Sequence, residues 1–277
     1  MPNLPCIVDC VVLGMADFLS WQMQSKNMLG ILVVIMSFLL FGFSFALAYE
    51  QIPITFSGKM DQVQFDGKWS FDTEWKQSSL NDNYYDDRNV LVILRTAHQE
   101  NYVYVFIDMI NDEVIDRGTD KATICFDGGN EKNTTPNEND YCFEAVLESG
   151  MGHTYQGSST SFKQIENHPD FVGLSSISDS NDRYSGIPHP GYEFRIPTDL
   201  IGRESVYGFY FEVYDGNTKK LYTYPQNQTS LMQTPAGWGE IYSPDKSLPE
   251  FDLPLLILLP VLGLVIVLTR NRTYKLK

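Results

Sequence analysis

Hydrophobic and polar positions alternate along most of this chain with the two-residue period of β-strands. The clearest run is Tyr102-Val103-Tyr104-Val105-Phe106-Ile107-Asp108, where Tyr102, Tyr104 and Phe106 share one face and Val103, Val105 and Ile107 the other. Both faces are apolar, which predicts a central strand covered on both sides. Residues 90–96 precede it across a turn at 98–101, predicting a hairpin, and residues 121–127 and 141–147 predict a second hairpin across the polar loop 128–140. Further strands are predicted at 52–56, an edge strand because of Pro53, and at 171–177, 191–196, 206–214, 220–224 and 237–242, with one helical turn at 197–200. Residues 65–75 read as an irregular aromatic segment, 81–87 as a polar loop and 149–190 as a long excursion. About ten short strands with almost no helix predict an all-β chain, a jelly-roll-like β-sandwich over residues 49–245.

The ends of the chain break this pattern. Residues 29–48 form an apolar run with Lys26 ahead of it and Ala46-Leu47-Ala48 at its end, the arrangement of a signal peptide spanning 23–48; the alternative is an uncleaved anchor. Asp9 and Asp17 lie upstream, so Met23 or Met28 is the expected start and residues 1–22 are expected to precede it. Residues 253–268 are almost pure Leu, Ile and Val and would span roughly 24 Å as a helix, near the short limit for a bilayer core. Arg270, Arg272, Lys275 and Lys277 follow, which predicts a C-terminal transmembrane helix with a cytoplasmic tail and the domain on the outer face of the cell membrane. Pro249-Glu250-Phe251, the apolar run and the basic cluster together resemble the PEF-type C-terminal sorting signal of archaeal surface proteins over residues 248–277. That resemblance implies an archaeosortase as a partner and processing to a surface anchor.

Charge narrows the partners. The net charge is −15, and residues 49–250 hold 32 acids against 15 bases, so no basic footprint for nucleic acid exists. Export makes a disulfide between Cys125 and Cys142 the favoured state, since the predicted hairpin sets them side by side. Asn133-Thr134-Thr135 and Asn227-Gln228-Thr229 are glycosylation sequons in polar segments.

Phe65-Asp66-Gly67-Lys68 with Trp75, then the 102–108 strand with its acidic loop, then Tyr192-Glu193-Phe194-Arg195-Ile196-Pro197 leading to Gly237-Trp238-Gly239-Glu240-Ile241 occur in an order that resembles family 9 carbohydrate-binding modules and their DOMON-like relatives. The resemblance covers residues 60–243 and implies a β-sandwich that binds sugars between aromatic side chains, with calcium supporting the loops.

The expected site residues follow from that chemistry. Trp75, Tyr84, Tyr85 and Trp238 sit in or beside loops and are candidates for the flat apolar face a pyranose needs, although tryptophans in sandwiches also plug the core. Asp66, Asp108, Asp112, Asp116 and Asp120, with Glu113, are candidate calcium ligands, while no Asp-x-Asp-x-Asp-Gly loop is present. His98, His153, His168 and His189 fall in turns, where exposure is expected, and no catalytic motif is present. The reading is a surface-anchored, non-catalytic module for a glycan or glycoprotein. The alternatives are a structural cell-envelope protein and a DOMON-type haem domain with Met109 as its axial candidate.

Overall fold

A computed structural model describes residues 51–227 and 229–244. The expected signal peptide, the PEF-type signal at Pro249, Glu250 and Phe251 and the expected membrane helix lie outside the described residues. Among those described, no helix is long and apolar enough to cross a membrane.

Among the described residues, fourteen strands form two sheets. The first contains β1 (Gln51–Pro53), β14 (Gly239–Tyr242), β12 (Val206–Asp215), β6 (Lys121–Asp127), β7 (Asp140–Val146), β8 (His153–Gly157) and β9 (Phe162–Ile165) in that order, with β13 (Lys220–Tyr224) also paired to β12. The second contains β10 (Val172–Ile177), β11 (Pro190–Pro197), β5 (Tyr102–Met109), β4 (Val90–Gln99) and β2 (Thr55–Phe56), with β3 (Ser79–Tyr85) paired to β4. The predicted edge strand at 52–56 is thus two strands. β1 pairs with β14 and β2 with β4, so the chain passes from one sheet to the other at Ile54.

Alternation decides which side chains meet. Val103, Val105, Ile107 and Met109 of β5 face Ile124 and Phe126 of β6, Phe143 of β7 and Phe209, Phe211 and Val213 of β12 across one dry core. Met109 is therefore packed among hydrocarbon. The other face of β5 is apolar too, and it is covered by the segment 60–75: Trp69 and Trp75 are fully buried against Phe106, with Trp75 stacked on that ring at 5.5 Å. The outer face of the first sheet has its own cap, where Trp238 stacks on Tyr210 and Phe162 and covers Cys125 and Cys142.

Cys125 and Cys142 are direct partners in the β6–β7 register and form a disulfide closing 17 residues. In the chain-entropy view this contributes about 3 kcal/mol. Reduction is expected to lower the unfolding free energy by that amount, and a Cys125→Ala, Cys142→Ala double variant should melt at the reduced protein's temperature when the two are compared by calorimetry.

The excursion at 149–190 carries three strands rather than one: β8 and β9 extend the first sheet beyond β7, and β10 follows. The polar segment 81–87 is mostly β3. It lies at a sheet edge with alternate side chains exposed, which is why its composition reads as loop.

Candidate functional site

The exposed aromatic surface is not where the tryptophans are. Trp75 and Trp238 are both 0% exposed, so neither offers a face to a ligand. Trp75 Nε1–H donates to Glu193 Oε1 at 3.0 Å, and the other oxygen of that buried carboxylate accepts the backbone N–H groups of Asp66 and Gly67. Trp238 Nε1–H donates to the carbonyl of Leu231. Both indoles are core plugs, held by the apolar outer faces of the sheets that they cover.

Tyr84 and Tyr85 behave differently, because neighbouring residues of a strand point to opposite sides. Tyr84 is 39% exposed, with the Arg88 guanidinium 5.0 Å from its ring centre. Tyr85 packs edge-on against Tyr222 of β13, ring centres 5.3 Å apart, and its hydroxyl donates to the carbonyl of Thr223. These two rings form the apolar wall of an open groove of about 550 Å³ completed by Asp86, Lys219, Lys220, Leu221, Gln226 and Asn227. Lys220 spans part of it to Asp86 at 2.6 Å, and Gln226 ties the far wall to Tyr84 by donating to its carbonyl. Tyr222 and Leu221 were not singled out from sequence, since in a short alternating strand they read as ordinary sheet residues.

The rim is strained. Asp86, Asp87 and Arg88 all have positive φ (49°, 55° and 72°), three consecutive non-glycine residues in the left-handed region. Each costs roughly 1 kcal/mol, and such conformations gather at ligand clamps. Asn89 closes the turn by donating its backbone and side-chain N–H groups to the carbonyl of Asp86.

Next to the groove lies a cluster of carboxylates. One oxygen each of Asp112, Asp120 and Asp215 comes within 4.8 Å of the others, and all three residues are buried. Asp120 is fixed by the N–H groups of Asp116 and Gly216, and Asp215 by Thr218. Burial, then Asp215 and Asp120, push Asp112 up to about 7. The hydroxyl of fully buried Tyr192 has no hydrogen-bond partner; its pKa is raised by burial and then by Asp120, Asp112 and Asp215. Asp116 Oδ2 is buried and unpartnered too. Three converging carboxylates with orphaned oxygens around them fit an all-oxygen cation site of the calcium kind. The turn 215–219 leaves this cluster and becomes the groove wall at Lys219 and Lys220.

Of the five aspartates predicted as one ligand set, Asp112 and Asp120 meet, Asp116 is adjacent, and Asp215 joins from 95 residues further along the chain. Asp66 stands apart: its carboxylate accepts from Ser70, Gln64 and the Lys68 N–H and so organises the opening turn. Asp108 also stands apart, because alternation puts it on the Tyr104 and Phe106 face of β5, where it meets His189 and Asp182. Glu113 is exposed. The expectation of four exposed histidines in turns holds for exposure at His153 alone, which lies in β8; His98 in β4 and His168 are half-buried, and His189 is 0% exposed. Asn133 and Asn227 are both exposed, and Asn227 stands on the groove wall.

A second acidic pair gives a pH test clear of the cation cluster. Asp127 and Asp140 face each other across β6 and β7, and burial, opposed by the Asn137 N–H, pushes Asp140 from 3.8 up to about 7. The folded state then binds more protons than the unfolded chain between about pH 4 and 7, so this group removes stability as pH rises through that window. Asp140→Asn is expected to raise the melting temperature at pH 7.5 and leave it unchanged at pH 4, read by thermal denaturation at both values.

No sequence-family profile matches the chain, and no curated protein sequence does. The solved structures similar to it include the following two. One is a carbohydrate binding module family 9 (CBM9) from Caldicellulosiruptor kristjanssonii in complex with cellotriose, with a TM-score of 0.47, 14% identity and coverage of 72% of this chain and 98% of that one. The other is a CBM9 from the same organism in complex with glucose, with a TM-score of 0.46, 13% identity and coverage of 70% and 95%.

Proposed function

We propose that the exported portion of this chain is a non-catalytic glycan-binding module whose ligand lies in the Tyr85–Tyr222 groove. The observation that carries this is the composition of that groove: two tyrosine rings on one wall, with a carboxylate, two ammonium groups and two carboxamides around them. Aromatic rings suit the C–H face of a pyranose, and the polar rim suits its hydroxyls. The strained turn at Asp86–Arg88 holds the rim in place before ligand arrives, which lowers the ordering cost of binding.

Calcium at Asp112, Asp120 and Asp215 would fix the turn 215–219 and with it the Lys219–Lys220 wall. Its role is therefore structural support of the groove. Hydrolysis of a glycosidic bond calls for two carboxyl groups roughly 5–9.5 Å apart, and Asp86 is the single carboxylate among the residues lining the groove. Anchoring at the outer face of the cell membrane, through the C-terminal segment, would present the module to cell-wall glycans or glycoproteins; an archaeosortase is the enzyme that the PEF-type signal would require.

Titration calorimetry against a panel of soluble cell-wall saccharides tests the site. Binding of one saccharide class, weakened at least about tenfold by Tyr85→Ala and by Gln226→Ala, is expected, since a ring stacked on sugar or a displaced polar partner is each worth about 1.4 kcal/mol or more. Full retention of binding by both folded variants would place the ligand elsewhere.

A further inference from the structure

The loop 178–189, between β10 and β11, is closed at its base by His189, whose N–H donates to Ser178 Oγ while Ser178 N–H donates to the His189 carbonyl. The imidazole is buried and faces two carboxylates. Nε2 lies 2.7 Å from Asp108 Oδ1 at the end of β5 and 4.0 Å from Asp182 Oδ2 within the loop, and all three side chains are 0% exposed.

Two features separate this group from an ordinary buried ion pair. Nδ1 lies 2.6 Å from the carbonyl of Ile187, so Nδ1–H donates to it, and in the neutral ring the lone pair is on Nε2. Despite its short approach to Asp108, Nε2 has no hydrogen-bond partner, and neither do Asp108 Oδ1, Asp108 Oδ2 or Asp182 Oδ2. Protonating Nε2 would supply one hydrogen for three unpaired oxygens and leave a buried net negative charge, an arrangement that costs several kcal/mol.

We propose that Asp108, Asp182 and His189 form a structural zinc site. Nε2, the Asp108 carboxylate and Asp182 Oδ2 all lack hydrogen-bond partners and converge, two carboxylates neutralise the charge of Zn²⁺, and chelation by both oxygens of Asp108 would bring the ion to four donors in a distorted tetrahedron. A nitrogen donor in an enclosed space selects zinc over calcium, which takes six or more oxygens. Ligands on one tetrahedral ion stand roughly 3.3 Å apart, so Nε2 and Asp108 Oδ1 would separate by about 0.6 Å on loading. Asp182 Oδ1 is already occupied by the N–H groups of Tyr184 and Ser185, which aims Oδ2 inward and makes the ion a staple between the loop and β5. The loop in turn sets Tyr184, whose ring packs edge-on to Trp69 and whose hydroxyl accepts from Arg95. Zinc would thus lock the aromatic cap of the second sheet, at a place distinct from the groove and from the Asp112–Asp120–Asp215 cluster.

The test is equilibrium dialysis of the chelator-stripped full chain with Zn²⁺ in the presence of millimolar Ca²⁺, with metal content read by mass spectrometry. One zinc per chain is expected, with affinity reduced more than about 100-fold in Asp182→Asn and in His189→Gln, beyond the 10–100-fold typical of outer-shell partners. Co²⁺ in the same site should give the visible bands of a tetrahedral ion with nitrogen and oxygen donors. Zinc should also slow tryptic cleavage after Arg183, an exposed residue of the loop. Thermal melts of both variants in chelator report folding; a variant that fails to fold is replaced by Asp108→Asn in the same assay. Absence of stoichiometric zinc, or zinc retained undiminished in the folded variants, would overturn the site and leave a buried histidine–carboxylate pair alone.

Discussion

Trp75→Ala is expected to cost about 3–5 kcal/mol, a large share of the 5–15 kcal/mol by which domains of this kind are stable. The indole is fully buried and stacked on Phe106, so its removal leaves a cavity under the aromatic cap. It also strips Glu193 Oε1 of its Nε1–H donor. Burial already raises the Glu193 pKa well above the usual carboxylate range. Trp75→Phe keeps much of the apolar volume but not the N–H, and should cost roughly 1–3 kcal/mol, the cost of leaving a buried acceptor unsatisfied. Trp75 lines no part of the tyrosine groove, so the folded Trp75→Phe protein is expected to bind saccharide with unchanged affinity. Chemical denaturation gives the two energies and calorimetry the affinity; a loss of binding without loss of stability would return Trp75 to the ligand site.

The second large effect is on calcium. Addition to about 100 times the dissociation constant should stabilise the chelator-stripped protein by about 2.7 kcal/mol, or roughly 5–10 °C for a domain of this size. Asp120→Asn separates the ion from the charges it screens. In chelator the variant should melt no lower than the parent, because one of three mutually repelling carboxylates is gone while an acceptor for Gly216 or Asp116 N–H remains. In calcium the parent alone should gain. Since the turn 215–219 connects this cluster to the groove wall, chelation should also weaken saccharide binding. Equal melting temperatures with and without calcium would remove the ion from the account.

The sheets were legible because alternation is a local property. β4, β5, β6, β7, β11, β12 and β13 each show it within their own residues, and the disulfide followed from the hairpin that joins β6 to β7. The apolar outer face of β5 also demanded a cover, and Trp69 and Trp75 supply it; weighed against that demand, their place in the core could have been read from sequence. β3 was hidden by its position at an edge, where Asn81, Asp82 and Asn83 face solvent or the strand backbone. β8 and β9 were hidden by Gln156, Gly157, Lys163 and Gln164 and by the serines of the turn between them, at the end of a sheet.

The sites were half legible for a different reason. Tyr84 and Tyr85 stood out as aromatics in a polar stretch, and Asp112 and Asp120 as acids in one loop. Their partners come from elsewhere in the chain: Tyr222 and Asp215 from the β12–β13 hairpin, and His189 from the base of a loop more than 80 residues beyond Asp108. Register brings them together, since β11 pairs with β5 so that Gly191 opposes Asp108, and β12 ends at Asp215 beside the acidic loop. No spacing within one segment encodes such a meeting.

The central claim is that ligand enters between Tyr85 and Tyr222, and amide chemical-shift mapping tests it most directly. On titration with the saccharide that calorimetry selects, the largest shifts are predicted at residues 84–88 and 219–227, with small ones over the 60–75 cap. Shifts concentrated on the cap or along β8 and β9, with the tyrosine groove unmoved, would contradict it.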